Sequence, residues 1–149
     1  MVVCASGQLQ AAEAQRHAVI VGINDYADAA IPDLKYAESD AKAVYDTLTD
    51  AKVGRFDKAN VTLLLGKAAT PSAIKAALYK LRGVGKNDLV VIFYSGHGAK
   101  EGDEAFWVTQ NADRKALPAT SLTNSDIRKY LAKTPSQRLV VLLDRCHAA

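Results

Sequence analysis

Two tetrapeptides in this chain of 149 residues carry side chains able to do covalent chemistry, "SGHG" at 95–98 and "DRCH" at 144–147. A thiol attacks a carbonyl carbon well only as the thiolate, and a neighbouring imidazole can take its proton or hold it as an ion pair. His97 and Cys146 are therefore the candidate base and nucleophile of an acyl transfer. Gly96 and Gly98 let the backbone turn tightly and come close to a substrate carbonyl. The amides of Gly98 and Cys146 are then the natural donors to a tetrahedral oxyanion. Taken singly, Cys146 reads as a small core hydrophobe and His97 as a turn residue. Together, at the ends of two consecutive strands, they read as catalytic.

Other chemistries fit these residues less well. His147 is adjacent to Cys146, so in extended backbone it points to the opposite side, as a structural or substrate-edge residue. A zinc site built from Cys146, His97, His147 and Asp144 matches no structural-zinc spacing, and no metal is expected there. "GKAAT" at 66–70 resembles the end of a phosphate-binding loop, but it lacks the upstream glycine and a Ser or Thr after Lys67.

The elements that must position these residues alternate between strand and helix. Residues 17–24, "HAVIVGIN", form a continuous apolar run, the pattern of a strand buried on both faces. In "DLKYAESDAKAVYDTLTDA", Ala37, Ala41, Val44, Tyr45 and Leu48 fall at helical spacing. "NVTLLLG" at 60–66 predicts a second strand. Thr70 and Pro71 then cap and open a helix that stops at Gly83. "DLVVIFYSGHG" at 88–98 is the third and strongest strand, and "AFWVTQNAD" is a short β segment outside the main sheet. "LTNSDIRKYLAKTP" predicts a further helix, with Thr123 and Asp126 spaced as a capping box. "RLVVLLD" at 138–144 is the fourth strand. Such alternation predicts an α/β fold with a parallel sheet covered on both faces. Chemistry in these sheets collects at the carboxyl ends of the strands, where both tetrapeptides fall.

Composition narrows the function classes. A net charge of +3 with evenly spread bases gives no nucleic-acid footprint. Two cysteines, Cys4 and Cys146, make no disulfide framework, and no apolar run approaches the roughly 18 residues needed to span a bilayer. Residues 1–16 read as a flexible leader. A reduced thiol nucleophile suits the cytoplasm, whereas "AEA" at 12–14 suits an exported protein with a trimmed signal peptide.

"HAVIVGINDY", "LKYAESDAKAV", "LVVIFYSGHG" and "VVLLDRCHAA" resemble, in order, the caspase-like cysteine peptidases of the metacaspase branch in their bacterial, orthocaspase form. The resemblance covers 17–149, and the separation of His97 from Cys146 suits the caspase spacing of roughly 50 residues. It implies a three-layer sandwich, a mostly parallel sheet with helices on both faces, with four main strands present and the family's last two missing. His97 matches the catalytic histidine, Cys146 the nucleophile and Gly98 the oxyanion-hole glycine. Asp144 and Asp40 match the two acids of the primary specificity pocket, and paired carboxylates call for a cationic side chain, so cleavage follows Arg or Lys. True caspases, which cut after Asp, need an Arg and a Gln in these places.

Three departures from the family pattern stand out. Arg145 replaces a small residue between Asp144 and Cys146, where it either reaches solvent or pairs with a pocket carboxylate. Ala149 stands where Gly is common. Calcium-dependent members carry several acids after the catalytic histidine, and here only Glu101, Asp103 and Glu104 cluster, so no cofactor is expected other than, at most, calcium. The resemblance also implies a partner for the edge of the fourth strand, either the family's small second half or a separate chain. The reading is thus a Cys-His endopeptidase acting on peptide or protein substrates after Arg or Lys. Its alternative is a non-catalytic caspase-like interaction module, inactive without that second half. A receiver-like or nucleotide-binding domain would share the βα pattern but leaves "SGHG" without a role.

Overall fold

The apolar runs form strands, and the computed structural model describes residues 13–145. Residues 1–12 lie outside the described residues, as do Cys146, His147 and the two alanines that follow. The main sheet contains β1 (Arg16–Gly22), β2 (Val61–Leu65), β3 (Leu89–Ser95) and β7 (Arg138–Asp144), all parallel, in the order β2-β1-β3-β7. Between them come α1 (Ala37–Thr49), α2 (Pro71–Lys80), α3 (Leu117–Thr120) and α4 (Asn124–Leu131). A small antiparallel sheet of β4 (Gly98–Glu101), β5 (Glu104–Trp107) and β6 (Leu122–Thr123) follows β3 directly. The "AFW" segment therefore lies outside the main sheet, as its sequence predicts. No helix among the described residues is long and apolar enough to cross a membrane.

Strand alternation sends side chains to two cores. On one face Ala18, Ile20, Val91 and Phe93 pack with Ala41 and Phe56, beneath the half-buried Val44, Tyr45 and Leu48 of α1. On the other, Val19, Val21, Val90, Ile92 and Tyr94 meet Ile74 and Leu78 of α2, Ile127 of α4 and Trp107 of β5. Helices on both faces of a parallel sheet make the three-layer α/β sandwich.

The helix ends follow their sequence signals in part. The Thr70 hydroxyl accepts from Ala73 N–H, and Pro71 occupies the first turn of α2. Thr123 accepts from Asp126 N–H at 2.8 Å. The second half of the expected capping box differs, because the Asp126 carboxylate faces Lys75 and Lys129 instead. The first turn of α1 has no side-chain cap from Tyr36. Asn24 serves it from the end of β1: its Oδ1 accepts from Glu38 N–H, and Glu38 Oε1 accepts from Asn24 N–H, both at 3.2 Å. Gly22 makes the close approach feasible, since a Cβ there would stand 2.6 Å from Ala37 O and from Ala41 Cβ. The start of α1 is thereby pinned to the carboxyl end of β1.

The expectation of cover on both faces fails at β7. Leu139, Val140, Val141, Leu142 and Leu143 are 39–46% exposed, on both sides of the strand, because β7 pairs with β3 on one side and has no described partner on the other.

At the opposite end of the sheet Gln15 and Arg16 are already part of the fold. Leu89 N–H donates to Gln15 O, and Gln15 N–H donates to Asp88 Oδ1 at 2.8 Å. Buried Asp88 also accepts from Gly85 N–H and meets His17 Nε2 at 3.2 Å. Burial pushes the Asp88 carboxyl up, but the Gly85 and Gln15 amides with His17 outweigh it and hold the group below the usual carboxylate range. A depressed carboxylate stabilises the fold above its unfolded pKa, and that contribution is lost as pH falls through the folded value. Asp88→Ala is expected to cost roughly 1–3 kcal/mol near neutral pH. Thermal unfolding across pH should show the gap between variant and wild type closing only at strongly acidic pH.

Candidate active site

The sheet register lines up the site. Leu65, Gly22, Ser95 and Asp144 are Cα partners across the four strands at their carboxyl ends. β3 and β7 are neighbours, so Ser95 and Asp144, the first residues of "SGHG" and "DRCH", lie side by side. The adjacency continues past the strands, where Gly96 N–H donates to Asp144 O at 3.3 Å. Ser95 Oγ donates to Asp144 Oδ2 at 3.1 Å. Alternation along β3 puts Ser95 on the face of Val91 and Phe93, the face that α1 covers.

His97 is buried, and its contacts define its chemistry. Nε2 lies 2.7 Å from the main-chain carbonyl of Pro32. A carbonyl can only accept, so Nε2 is assigned a proton, and in the neutral form of the ring the lone pair lies on Nδ1. Nδ1 is buried and has no hydrogen-bond partner among the described residues. The main chain of His97 is held as firmly as the ring. Its N–H donates to Tyr26 Oη at 2.8 Å, and its carbonyl takes the Tyr94 hydroxyl at 2.7 Å and Val108 N–H at 3.0 Å. The Tyr26 ring packs on the imidazole with centroids 5.1 Å apart. Gly96 is required beneath this pair of hydroxyls, because a Cβ would lie 2.8 Å from Tyr94 Oη and 3.1 Å from Tyr26 Oη. Burial pushes Tyr26 up to about 12 and Tyr94 well above its ordinary value, so both stay protonated.

Gly98 opens β4 opposite Trp107. Val108 N–H goes to His97 O, and antiparallel alternation then makes Gly98 and Trp107 a non-hydrogen-bonded pair, with the Gly98 amide turned away from β5. Arg145 takes neither of its two expected courses. Its side chain lies over Gly98, with Nη1 3.2 Å from where a Cβ would sit, and it donates to Phe106 O at 3.3 Å. A cavity of about 200 Å³ borders His97, walled by Ile31, Ala99, Val108 and Leu117 with Lys100 and Arg114. Neither Asp40 nor Asp144 is in its wall.

The expected residues are thus only partly gathered. His97, Gly98 and Asp144 share one end of the sheet, and Cys146 follows Arg145 in the chain but lies outside the described residues. Asp40 stands exposed on α1, and its carboxylate makes no hydrogen bond or ion pair among the described residues. Glu101, Asp103 and Glu104 do not converge as a calcium site. Glu104 accepts from Ser125 Oγ and N–H, bonds that hold its carboxyl below the usual range, and no group of three metal-type donors forms among the described residues. Tyr26, Pro32 and Tyr94 were not singled out from sequence. The tyrosines of "GINDY" and "IFYSG" carry no local pattern that marks a hydrogen-bonding role, and a main-chain carbonyl has no sequence signature.

Comparison with known proteins agrees with the fold. A solved structure, protein GSU0716 from Geobacter sulfurreducens, superposes with a TM-score of 0.72 at 23% identity, a likeness of fold. The match covers 91% of this chain and 52% of that one, so this chain spans about half the length of its structural neighbour. No curated protein matches the sequence. The sequence profile of the caspase domain matches residues 15–149, nearly the whole chain. The chain belongs to the caspase-domain family of cysteine peptidases.

Proposed function

We propose that this chain is the catalytic half of a cysteine endopeptidase of the metacaspase branch, in its bacterial form, which cuts peptide bonds after Arg or Lys. The observation that carries the reading is the His97 ring, with Nε2 committed to Pro32 O and Nδ1 buried without a partner among the described residues. That is the state of a general base awaiting a proton.

In the proposed reaction Nδ1 takes the proton of the Cys146 thiol, and the thiolate attacks the carbonyl carbon after the Arg or Lys side chain. The amides of Gly98 and Cys146 bind the resulting oxyanion. As the intermediate collapses, the C–N bond breaks and His97 returns its proton to the leaving amine. Water, deprotonated by the same nitrogen, then releases the acyl group from the sulfur. Asp144, at the carboxyl end of β7, and the exposed Asp40, on the helix covering the same face of the sheet, supply negative charge for a cationic side chain. The support for that specificity is sign and placement.

The uncovered β7 supports the partner reading. Its unpaired edge and five exposed apolar side chains suit a further strand, supplied by a second half or a separate chain. The coverage of only 52% of the structural neighbour points the same way.

Fluorogenic peptides ending in Arg, Lys or Asp test the reading, with reducing agent, with and without calcium, and with the completing segment added in parallel. Turnover is expected after Arg or Lys and should vanish in Cys146→Ala; turnover after Asp would overturn the acidic pocket. Asp144→Asn should lower kcat/KM for Arg peptides by roughly 10- to 100-fold, with a smaller effect on uncharged residues before the cut. Equal losses on both would assign Asp144 to structure instead.

A further inference from the structure

His97 is held by a closed circuit of three hydrogen bonds, all of whose other members come from the loop between β1 and α1. His97 N–H donates to Tyr26 Oη at 2.8 Å. Tyr26 N–H donates to Asp33 Oδ1 at 3.1 Å. Asp33 is joined through its peptide bond to Pro32, whose carbonyl accepts from His97 Nε2 at 2.7 Å. From these contacts we infer that Tyr26 and Asp33 are positioning residues, which keep the His97 imidazole in one tautomer with Nδ1 presented. The inference deepens the proposed function and rests on it for its catalytic meaning; the tautomer itself does not.

Pro32 has no N–H of its own, so its carbonyl can be aimed only through its neighbours. On one side Ile31 is buried, and its N–H donates to Asp28 O at 2.9 Å. On the other side Asp33 is tied to Tyr26 by its side chain. Tyr26 in turn touches His97 twice, through its hydroxyl to the main chain and through its ring to the imidazole. The hydroxyls continue the network. Tyr26 accepts from His97 N–H and pairs with the Tyr94 hydroxyl, which itself reaches His97 O and Val108 O. With both tyrosines protonated, each hydroxyl can donate and accept, and such chains polarise one another. A loop free to drift would release Nε2, and the proton could then move to Nδ1, where it blocks the base. The charged and titratable groups facing this network are Asp33 beside Tyr26, Arg145 beside Tyr94, and Lys100 and Arg114 in the cavity wall beside His97.

The test compares wild type with Tyr26→Phe, Asp33→Ala and Asp33→Asn in the full chain. Ring nitrogen resonances of His97 are read by NMR at mildly alkaline pH, and His97→Asn identifies them among the three histidines. Wild type should show the Nε2–H tautomer alone, and Asp33→Asn, which keeps the acceptor, should match it. Tyr26→Phe and Asp33→Ala should each show a second tautomer. Their kcat should fall roughly 10- to 100-fold with KM nearly unchanged. Should Tyr26→Phe fail to fold, exposed Asp33 reads the same restraint from outside the core. An unaltered tautomer and kcat in Asp33→Ala would overturn the inference. A tautomer that shifts as expected in a chain that turns over no peptide even with the completing segment added would keep the positioning role and reject the peptidase reading.

Discussion

One hydrogen bond, from an imidazole nitrogen to the carbonyl of Pro32, sets the chemistry available at the carboxyl end of this sheet. It fixes which nitrogen of His97 is protonated and therefore which one can act. It also leaves a buried acceptor unpaired, a state that ordinarily costs roughly 1–3 kcal/mol. A fold keeps such a group where a partner arrives in use, and Nδ1 is one of only two buried side-chain polar atoms without a partner among the described residues. The glycines on either side serve the same end. Gly96 makes room for two tyrosine hydroxyls, and Gly98 turns its amide away from β5.

The second constraint is the incomplete cover of β7. β1 and β3 are buried on both faces, whereas five consecutive apolar side chains of β7 stay between one third and one half exposed. The same strand carries Asp144 and leads directly into Cys146. In the proposed peptidase, sheet completion and site assembly would therefore be mechanically linked: a strand added to this edge would fix the backbone of β7 and with it the direction in which the chain continues to the proposed nucleophile.

Much of this was legible in the sequence, for reasons that can be named. Unbroken apolar runs mark strands buried between helices, which is why 17–24 and 88–98 were readable as sheet. Thr70 with Pro71, and Thr123, were readable as helix starts because capping needs few atoms, all local. That both tetrapeptides fall at carboxyl ends of strands followed from the alternation of strand and helix; that β3 and β7 are neighbours is shown by the sheet order. What stayed illegible was long-range or carried by the main chain. The Pro32 carbonyl lies 65 positions from His97, and any residue offers a carbonyl. The course of Arg145 depends on the open surface of Gly98 and on Phe106 O, which no local pattern encodes. The open edge of β7 was expected from the family resemblance, but the exposure of its two faces was hidden because its residues read like those of a buried strand. Asp126 departs from its capping box because two lysines compete for its carboxylate.

The central claim, that His97 activates Cys146 toward an acyl group held by an acidic pocket, is tested most directly by covalent capture. The chain would be treated with peptidyl ketone electrophiles ending in Arg or in Asp and its mass measured intact. The account predicts a single adduct from the Arg reagent, mapped to Cys146, formed much more slowly with the Asp reagent and lost in His97→Ala. Equal labelling by both reagents, or labelling of Cys146 that persists without His97, would contradict it.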